Sequence, residues 1–412
     1  MTHSTDRAPR VPLAQAAKAL ALRLHAAGYE TYFAGGCVRD LLMGNEPKDF
    51  DIATAAMPEQ VAQIYPKARG VGESFGVMLV RESGWMIEVA TFREDLAYHD
   101  GRRPSEVRYS TAEVDAKRRD FTINGMFMHP ETGQLVDFLD GQGKRDLHEK
   151  MIRAIGDPVA RIEEDRLRML RAVRFAARFG FTIERQTASA IQTHASELRS
   201  TSPERVGEEL RALLRHAGRA YGARLLEELG LDAPVLGSHV DAGGAQRLQA
   251  VECSEPHAFT TALAAWILDR AERTQSSVSL STIEALRARL VLSNAEVTAL
   301  EATLELRSRC TADWQLLSVA DRCRVVAAFG FSEALALLRA ESPDLAASLE
   351  RDADRLLPTR ALPTPFVDGD LLISRGMRPG KEFKELLHRA MDAQLEGRIA
   401  SAEEGFRFLF PA

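Results

Sequence analysis

The chain has 412 residues, 45% of them hydrophobic, enough to bury a substantial core spread over two or three domains. It carries no apolar run long enough to span a bilayer and no charged-then-apolar start, and its four cysteines lack zinc-like spacing and are too few for a disulfide framework, so the pattern predicts a cytoplasmic protein with no membrane partner. The net charge of −6 speaks against nucleic acid only as a sum, because steering depends on local field; Arg166, Arg168, Arg171, Arg174 and Arg178 follow one another with no acid between them.

Residues 1–10 are polar and read as disordered. A helical pattern runs from Val11 to Ala27 and stops at Gly28. Thr31–Ala34 reads as a strand, followed by a glycine turn, a short helix to Met43 and a second strand over Asp49–Ala53. Met57–Tyr65 reads as helix. Gly76–Arg81 and Trp85–Phe92 form a predicted hairpin turning at Ser83-Gly84, and Gln134–Phe138 is a further strand. After Gly156 the β signal vanishes. One continuous helix is predicted from Pro158 to Phe179, with Met169, Leu170, Val173, Ala176 and Ala177 on an apolar stripe and arginines opposite. Breaks follow near Gly180, Pro203, Gly218, Gly230 and Pro358–Pro365. The expected fold class is α+β: an N-terminal α/β head with a mixed sheet over residues 1–148, a helical segment over 149–230, and a helical remainder over 231–412.

The chemistry concentrates in a few stretches. Gly35-Gly36-Cys37-Val38-Arg39-Asp40 opens a short helix, whose first backbone N–H groups can cradle phosphate. Asp49-Phe50-Asp51 then places two carboxylates two residues apart; in a strand both project from one face, where they can hold two Mg²⁺ ions for in-line phosphoryl transfer. Glu88, in an otherwise alternating apolar strand, is either a third carboxylate for that site or part of a solvated strand face. In Arg118-Arg119-Asp120-Phe121-Thr122-Ile123-Asn124, Arg119 can bind phosphate or a ribose hydroxyl, Asp120 can accept from a ribose 2′-OH, and Asn124 can do either; Asp120 can also be the N-cap of the helix after it. In Glu164-Asp165-Arg166-Leu167-Arg168, Asp165 and Arg168 are either an intrahelical ion pair or a base-reading pair. A carboxylate accepting from an exocyclic amino group beside a guanidinium donating to a ring nitrogen admits C and A and rejects G and U.

The ordered combination of these motifs resembles the class II CCA-adding enzyme and bacterial poly(A) polymerase family, strongly over residues 30–230 and weakly over 360–405. The resemblance implies a template-independent nucleotidyltransferase adding CCA to tRNA 3′ ends from CTP and ATP with Mg²⁺, or alternatively a poly(A) polymerase or A-adding enzyme. It makes 1–148 the catalytic head, 149–230 a base-reading and RNA-binding neck, and 231–412 a body and tail. Asp49, Asp51 and Glu88 are then the catalytic set, with Asp49 and Asp51 the metal ligands. Gly35, Gly36, Arg39, Arg119, Asp120, Asn124, Asp165, Arg168, Arg171 and Arg174 become nucleotide-binding residues. Thr91–Ser110 matches the loop that switches the family from adding C to adding A, and Glu204-Arg205-Val206-Gly207-Glu208-Glu209 the element that braces the base-reading helix. Gly125, where the family more often has alanine, is expected to loosen local packing. A non-catalytic RNA-binding relic is disfavoured, since a relic has no reason to keep Asp49, Asp51, Asp120 and Asp165 together.

Overall fold

The computed structural model describes residues 11–71, 76–95 and 107–411 and divides the chain into two units, Met1–Ala242 and Gly243–Ala412. In the first unit, helix α1 (Leu13–Ala26) buries Ala16, Ala17, Leu20, Ala21 and Leu24, the three-to-four spacing of an amphipathic helix. These residues pack in one core with Phe33, Ile52, Val80, Ile87 and Val89 of the sheet. Each fully buried leucine or valine there contributes about 1.5–3 kcal/mol.

Strand β1 (Thr31–Ala34) leads into α2 (Gly36–Leu42), then β2 (Asp51–Thr54) and α3 (Pro58–Ile64). β3 (Arg69–Gly70) and the hairpin β4 (Val77–Glu82) and β5 (Trp85–Thr91) come next. Ser83 and Gly84 both hold positive φ, 51° and 95°, the turn whose twist matches the flanking strands. A separate ribbon joins β6 (Arg93–Asp95) to β7 (Val107–Tyr109), followed by α4 (Ala112–Lys117), β8 (Phe127–Met128) and β9 (Leu135–Val136). The seven-stranded sheet has the order β3-β4-β5-β2-β1-β8-β9, with β2 and β5 parallel and every other neighbour pair antiparallel. It is the expected mixed sheet.

The rest of this unit is mainly helical. After α5 (Gln142–His148), β10 (Met151–Ile152) pairs in parallel with β11 (Thr182–Ile183), so β structure returns once beyond Gly156. The single helix expected over 158–179 is two helices, α6 (Pro158–Glu164) and α7 (Arg168–Phe179), parted at Asp165, whose backbone is extended at φ −149° and ψ 103°. All five residues of the expected apolar stripe on α7 are buried, and so are Leu167 and Phe175, which the sequence pattern had placed among the arginines. Helices α8 (Arg185–His194), α9 (Pro203–Leu214) and α10 (Arg219–Glu228) follow. Gly218, at the start of α10, lies so close to α7 that a Cβ would sit 1.9 Å from the Ala177 carbonyl oxygen. A Cβ on Gly125 would meet Leu139 Cδ1 at 2.9 Å and Ile155 Cδ1 at 3.1 Å. That glycine permits a close approach; it does not loosen the packing.

The second unit is all helical among the described residues, from Gln246–Ala250 to Ala402–Leu409. Ala258–Arg273 is buried on nearly every side, as a central helix must be. Phe331, Leu338, Leu349 and Trp314 share one core, and Val367, Leu372, Ala390 and Leu409 a smaller one. No described helix is long and apolar enough to cross a membrane.

Candidate active site

Gly35 follows β1 with φ at 72°, a backbone conformation that favours glycine, and a Cβ there would stand 2.7 Å from Arg119 Nη1 and push that side chain aside. The turn aims Arg39 inward, where only 3% of it is exposed. Arg39 donates Nε and Nη2 to Asp40 Oδ1 at 2.9 and 2.7 Å and Nη1 to Asn124 Oδ1 at 2.6 Å, with the Phe179 ring 4.5 Å beneath it. The other Asp40 oxygen faces Arg178 at 3.7 Å.

Asp51 opens β2, but Asp49 lies in the segment before it, so the loop positions Asp49 and strand alternation does not. Parallel pairing sets Asp51 directly beside Glu88 of β5. Burial, then the charges of Asp49 and Glu88, push the Asp51 carboxyl up to about 6, with Arg119 opposing them. Like charges gathered this way on a partly buried carboxylate make a place for a cation. Among the described residues, however, no three of His, Cys, Asp and Glu stand close enough together to hold a metal ion. Asp49 and Asp51 fit as the protein's oxygen donors to a hard divalent cation, whereas Glu88 stands next to Asp51 without lining the cleft.

Asp120 is the hub of the next layer. Its Oδ1 accepts from Asn124 Nδ2 at 3.0 Å and from the Phe121 N–H at 2.8 Å; its Oδ2 accepts from Arg171 Nε at 2.9 Å and Nη2 at 2.5 Å. Burial alone raises its pKa, but the Arg171 charge and these hydrogen bonds overcome that and hold it down to about 2. It does not cap a helix: Phe121 occupies the N-cap position of the turn Thr122–Asn124. Arg119 and Arg118 are both held by Asp115, at 3.0 and 2.6 Å. Asp115 carried no sequence expectation, although its spacing of three and four residues from two arginines at the end of α4 was the available signal.

Asp165 and Arg168 do not pair with each other. Asp165 Oδ1 accepts the Leu167 N–H at 3.1 Å and Oδ2 accepts from Arg205 at 2.8 Å. Arg168 donates to Glu164 Oε2 at 2.6 Å and to the Arg161 and Arg118 carbonyls. Glu209, four residues after Arg205 on α9, accepts from Arg174 at 2.5 Å and faces Arg171 at 3.7 Å. Carboxylate–arginine pairs from α9 thus brace both ends of this layer.

These side chains converge on one cleft of about 550 Å³. Gly35, Gly36, Arg39, Asp49, Asp51, Arg119, Asp120, Asn124, Asp165, Arg168, Arg171 and Arg174 all line it, together with Asp40, Lys48, Arg118, Phe175 and Arg178. Eight cationic side chains face five carboxylates, a surplus suited to a polyanion. The stretch Tyr98–Pro104, including Arg102 and Arg103, lies outside the described residues, as do residues 1–10.

Residues 31–153 match the Poly A polymerase head domain, and residues 180–240 match a family described as the probable RNA and SrmB-binding site of polymerase A. Over 385 residues, 92% of this chain and 93% of the relative, the sequence is 31% identical to the CCA-adding enzyme of Lactobacillus delbrueckii subsp. bulgaricus. The chain belongs to the CCA-adding enzyme family. It is also 42% identical over 221 residues to the CCA-adding enzyme of Geobacillus thermodenitrificans, about half of each chain. Its fold superimposes on the crystal structure of the Bacillus stearothermophilus CCA-adding enzyme in complex with CTP with a TM-score of 0.78, at 28% identity and covering 97% of both chains. Like other CCA-adding enzymes it is a metal-dependent nucleotidyltransferase. Of the other residues lining the cleft, Lys48 and Phe175 had no signal in the sequence beyond their neighbours, Asp49 and the arginines of α7.

Proposed function

We propose that this enzyme adds CCA to tRNA 3′ ends from CTP and ATP without a nucleic-acid template, with Asp49 and Asp51 as the ligands of Mg²⁺. The observation that carries the reading is the meeting, in one cleft, of the Asp49 and Asp51 carboxylates with the side chains of Asp165 and Arg168. Relatives matching over most of the chain are named CCA-adding enzymes, and solved relatives hold CTP, ATP or tRNA. Magnesium, when bound, supplies Lewis-acid activation of the attacking hydroxyl and charge neutralisation on the phosphates. The protein's own groups do the rest. Arg39 and Arg119, with the backbone at Gly35-Gly36, receive phosphate oxygens. Asp120 and Asn124, held by Arg171 and Arg39, fix the ribose. Asp165, steadied by Arg205, accepts from the amino group of C or A, while Arg168 donates to the ring nitrogen. Glu88 adds negative charge behind Asp51. In this reading residues 1–148 are the catalytic head, 149–230 the neck and 231–412 the body and tail of a cytoplasmic enzyme.

The test is incubation with tRNA lacking its 3′ end, giving CTP and ATP separately and together and sequencing the products. Two C and one A are expected. A long A tail overturns the reading in favour of a polymerase.

A further inference from the structure

One end of the cleft has cations that the base, ribose and metal assignments leave unused. Lys48 immediately precedes Asp49, is exposed, and has no ion pair among the described residues. Arg178, in the last turn of α7, stands over the Phe179 ring at 5.0 Å and faces Asp40 Oδ2 at 3.7 Å, a long contact to a carboxylate whose Oδ1 already accepts from Arg39. Ten residues of α-helix separate Arg178 from Arg168, about 15 Å along the axis. Both line the cleft, so the two arginines mark opposite ends of the stretch of α7 that borders it.

A third group stands near Arg178, in the turn between α9 and α10. The contact of Gly218 with the Ala177 carbonyl brings the turn between α9 and α10 against the last turn of α7, and His216 sits in that turn. His216 Nδ1 accepts the Gly218 N–H at 3.3 Å, so in the neutral ring Nε2 carries the proton and is the donor. Burial and then the charges of Arg178 and Lys48 lower the His216 pKa, which agrees with the three being neighbours and keeps the ring in that tautomer.

We propose that Lys48, Arg178 and His216 form a seat for the leaving pyrophosphate, beside the metal ligand Asp49. This rests on the nucleotidyl-transfer reading. In the step it serves, the RNA 3′ oxygen bonds to the α-phosphorus and the hydroxyl proton passes to solvent. The bond from the α-phosphorus to the bridging oxygen breaks, and its electron pair leaves with pyrophosphate. Lys48 and Arg178 offset the charge that builds on the departing group, and His216 Nε2–H donates a hydrogen bond to it.

The experiment is titration calorimetry of the full-length enzyme with inorganic pyrophosphate and magnesium, paired with product-inhibition kinetics against CTP. Lys48→Ala, Arg178→Ala and His216→Leu should each weaken pyrophosphate binding by about tenfold or more, the scale of a lost hydrogen bond to a charged group. His216→Gln, which keeps a donor, should recover part of that loss, and cytidine binding should stay unchanged in all four. Unaltered pyrophosphate binding in Lys48→Ala, an exposed position that leaves the fold intact, overturns the proposal. A higher KM for tRNA with unaltered pyrophosphate binding overturns it as well and assigns the patch to an RNA backbone phosphate. Because calorimetry needs no turnover, failure of the seat and failure of the transferase reading give different results.

Discussion

Glu88 stands directly beside Asp51 on the one parallel strand pair of the seven-stranded sheet. Parallel neighbours in register present their side chains on the same face, so the pairing of β2 with β5 crowds negative charge beside the proposed metal ligand. Ionised Asp51 is unfavourable in the fold until a cation arrives. Asp51→Asn should therefore leave thermal stability without metal unchanged or slightly raised, while Asp49→Ala and Asp51→Ala reduce transfer by roughly 10³-fold or more. Melting curves beside single-turnover rates check this; an Asp51→Asn protein that melts well below wild type contradicts it.

Asp120 gives a pH signature of the opposite sign. Its pKa is about 2 in the fold against 3.8 for an ordinary aspartate, so its contribution is complete above the unfolded value and lost as pH falls from about 4 through 2. The shift corresponds to about 2 kcal/mol. Denaturant unfolding of wild type and Asp120→Asn should show a gap of that order near neutrality that closes across this window. A gap that persists at pH 2 means the variant acts through packing.

Selectivity should depend on Arg205 as well as on Asp165. Asp165→Ala removes the proposed acceptor for the amino group of C and A, and discrimination against UTP and GTP should fall by roughly one to two orders of magnitude. Arg205→Ala leaves the carboxylate in place but free to turn, so a smaller loss is expected. Competition among all four nucleotides measures both, and equal selectivity in Asp165→Ala and wild type would remove the pair from base reading.

Glycine positions separate by what a methyl group would strike. At Gly218 the obstacle is the backbone carbonyl of Ala177, and Gly218→Ala should cost about 3 kcal/mol or more. At Gly125 the obstacles are the ends of Leu139 and Ile155, so Gly125→Ala should cost about 1 kcal/mol. Thermal melting ranks the two.

Local signals made much of this legible. The Gly35-Gly36 turn, the hairpin at Ser83-Gly84 and the stop at Gly180 rest on positive φ, which glycine advertises in any sequence. The interruption at Asp165 was not readable, because Glu164-Asp165-Arg166 contains neither glycine nor proline. Asp165 leaves the helical conformation while bound to Arg205, a residue 40 positions on. Nor could spacing show that Asp120 spends both oxygens on protein donors, since Arg171 reaches it across 51 residues. Asp115 was readable and overlooked; Lys48 and His216 acquire meaning only from what the fold sets beside them.

Phe175 carries a consequence for how this cleft answers a substrate. Arg39, Arg171 and Arg174 lie over its ring at 5.5, 5.4 and 4.4 Å. An aromatic face attracts each cation while presenting no acceptor that must later be stripped away. Guanidinium groups parked on hydrocarbon hold few ordered waters in the direction of the ring. When a nucleotide enters, those arginines have little solvent to shed and few torsions to freeze on that side. The entropy of arranging them has already been met during folding, so a site this highly charged can exchange one nucleotide for the next without rebuilding itself each time.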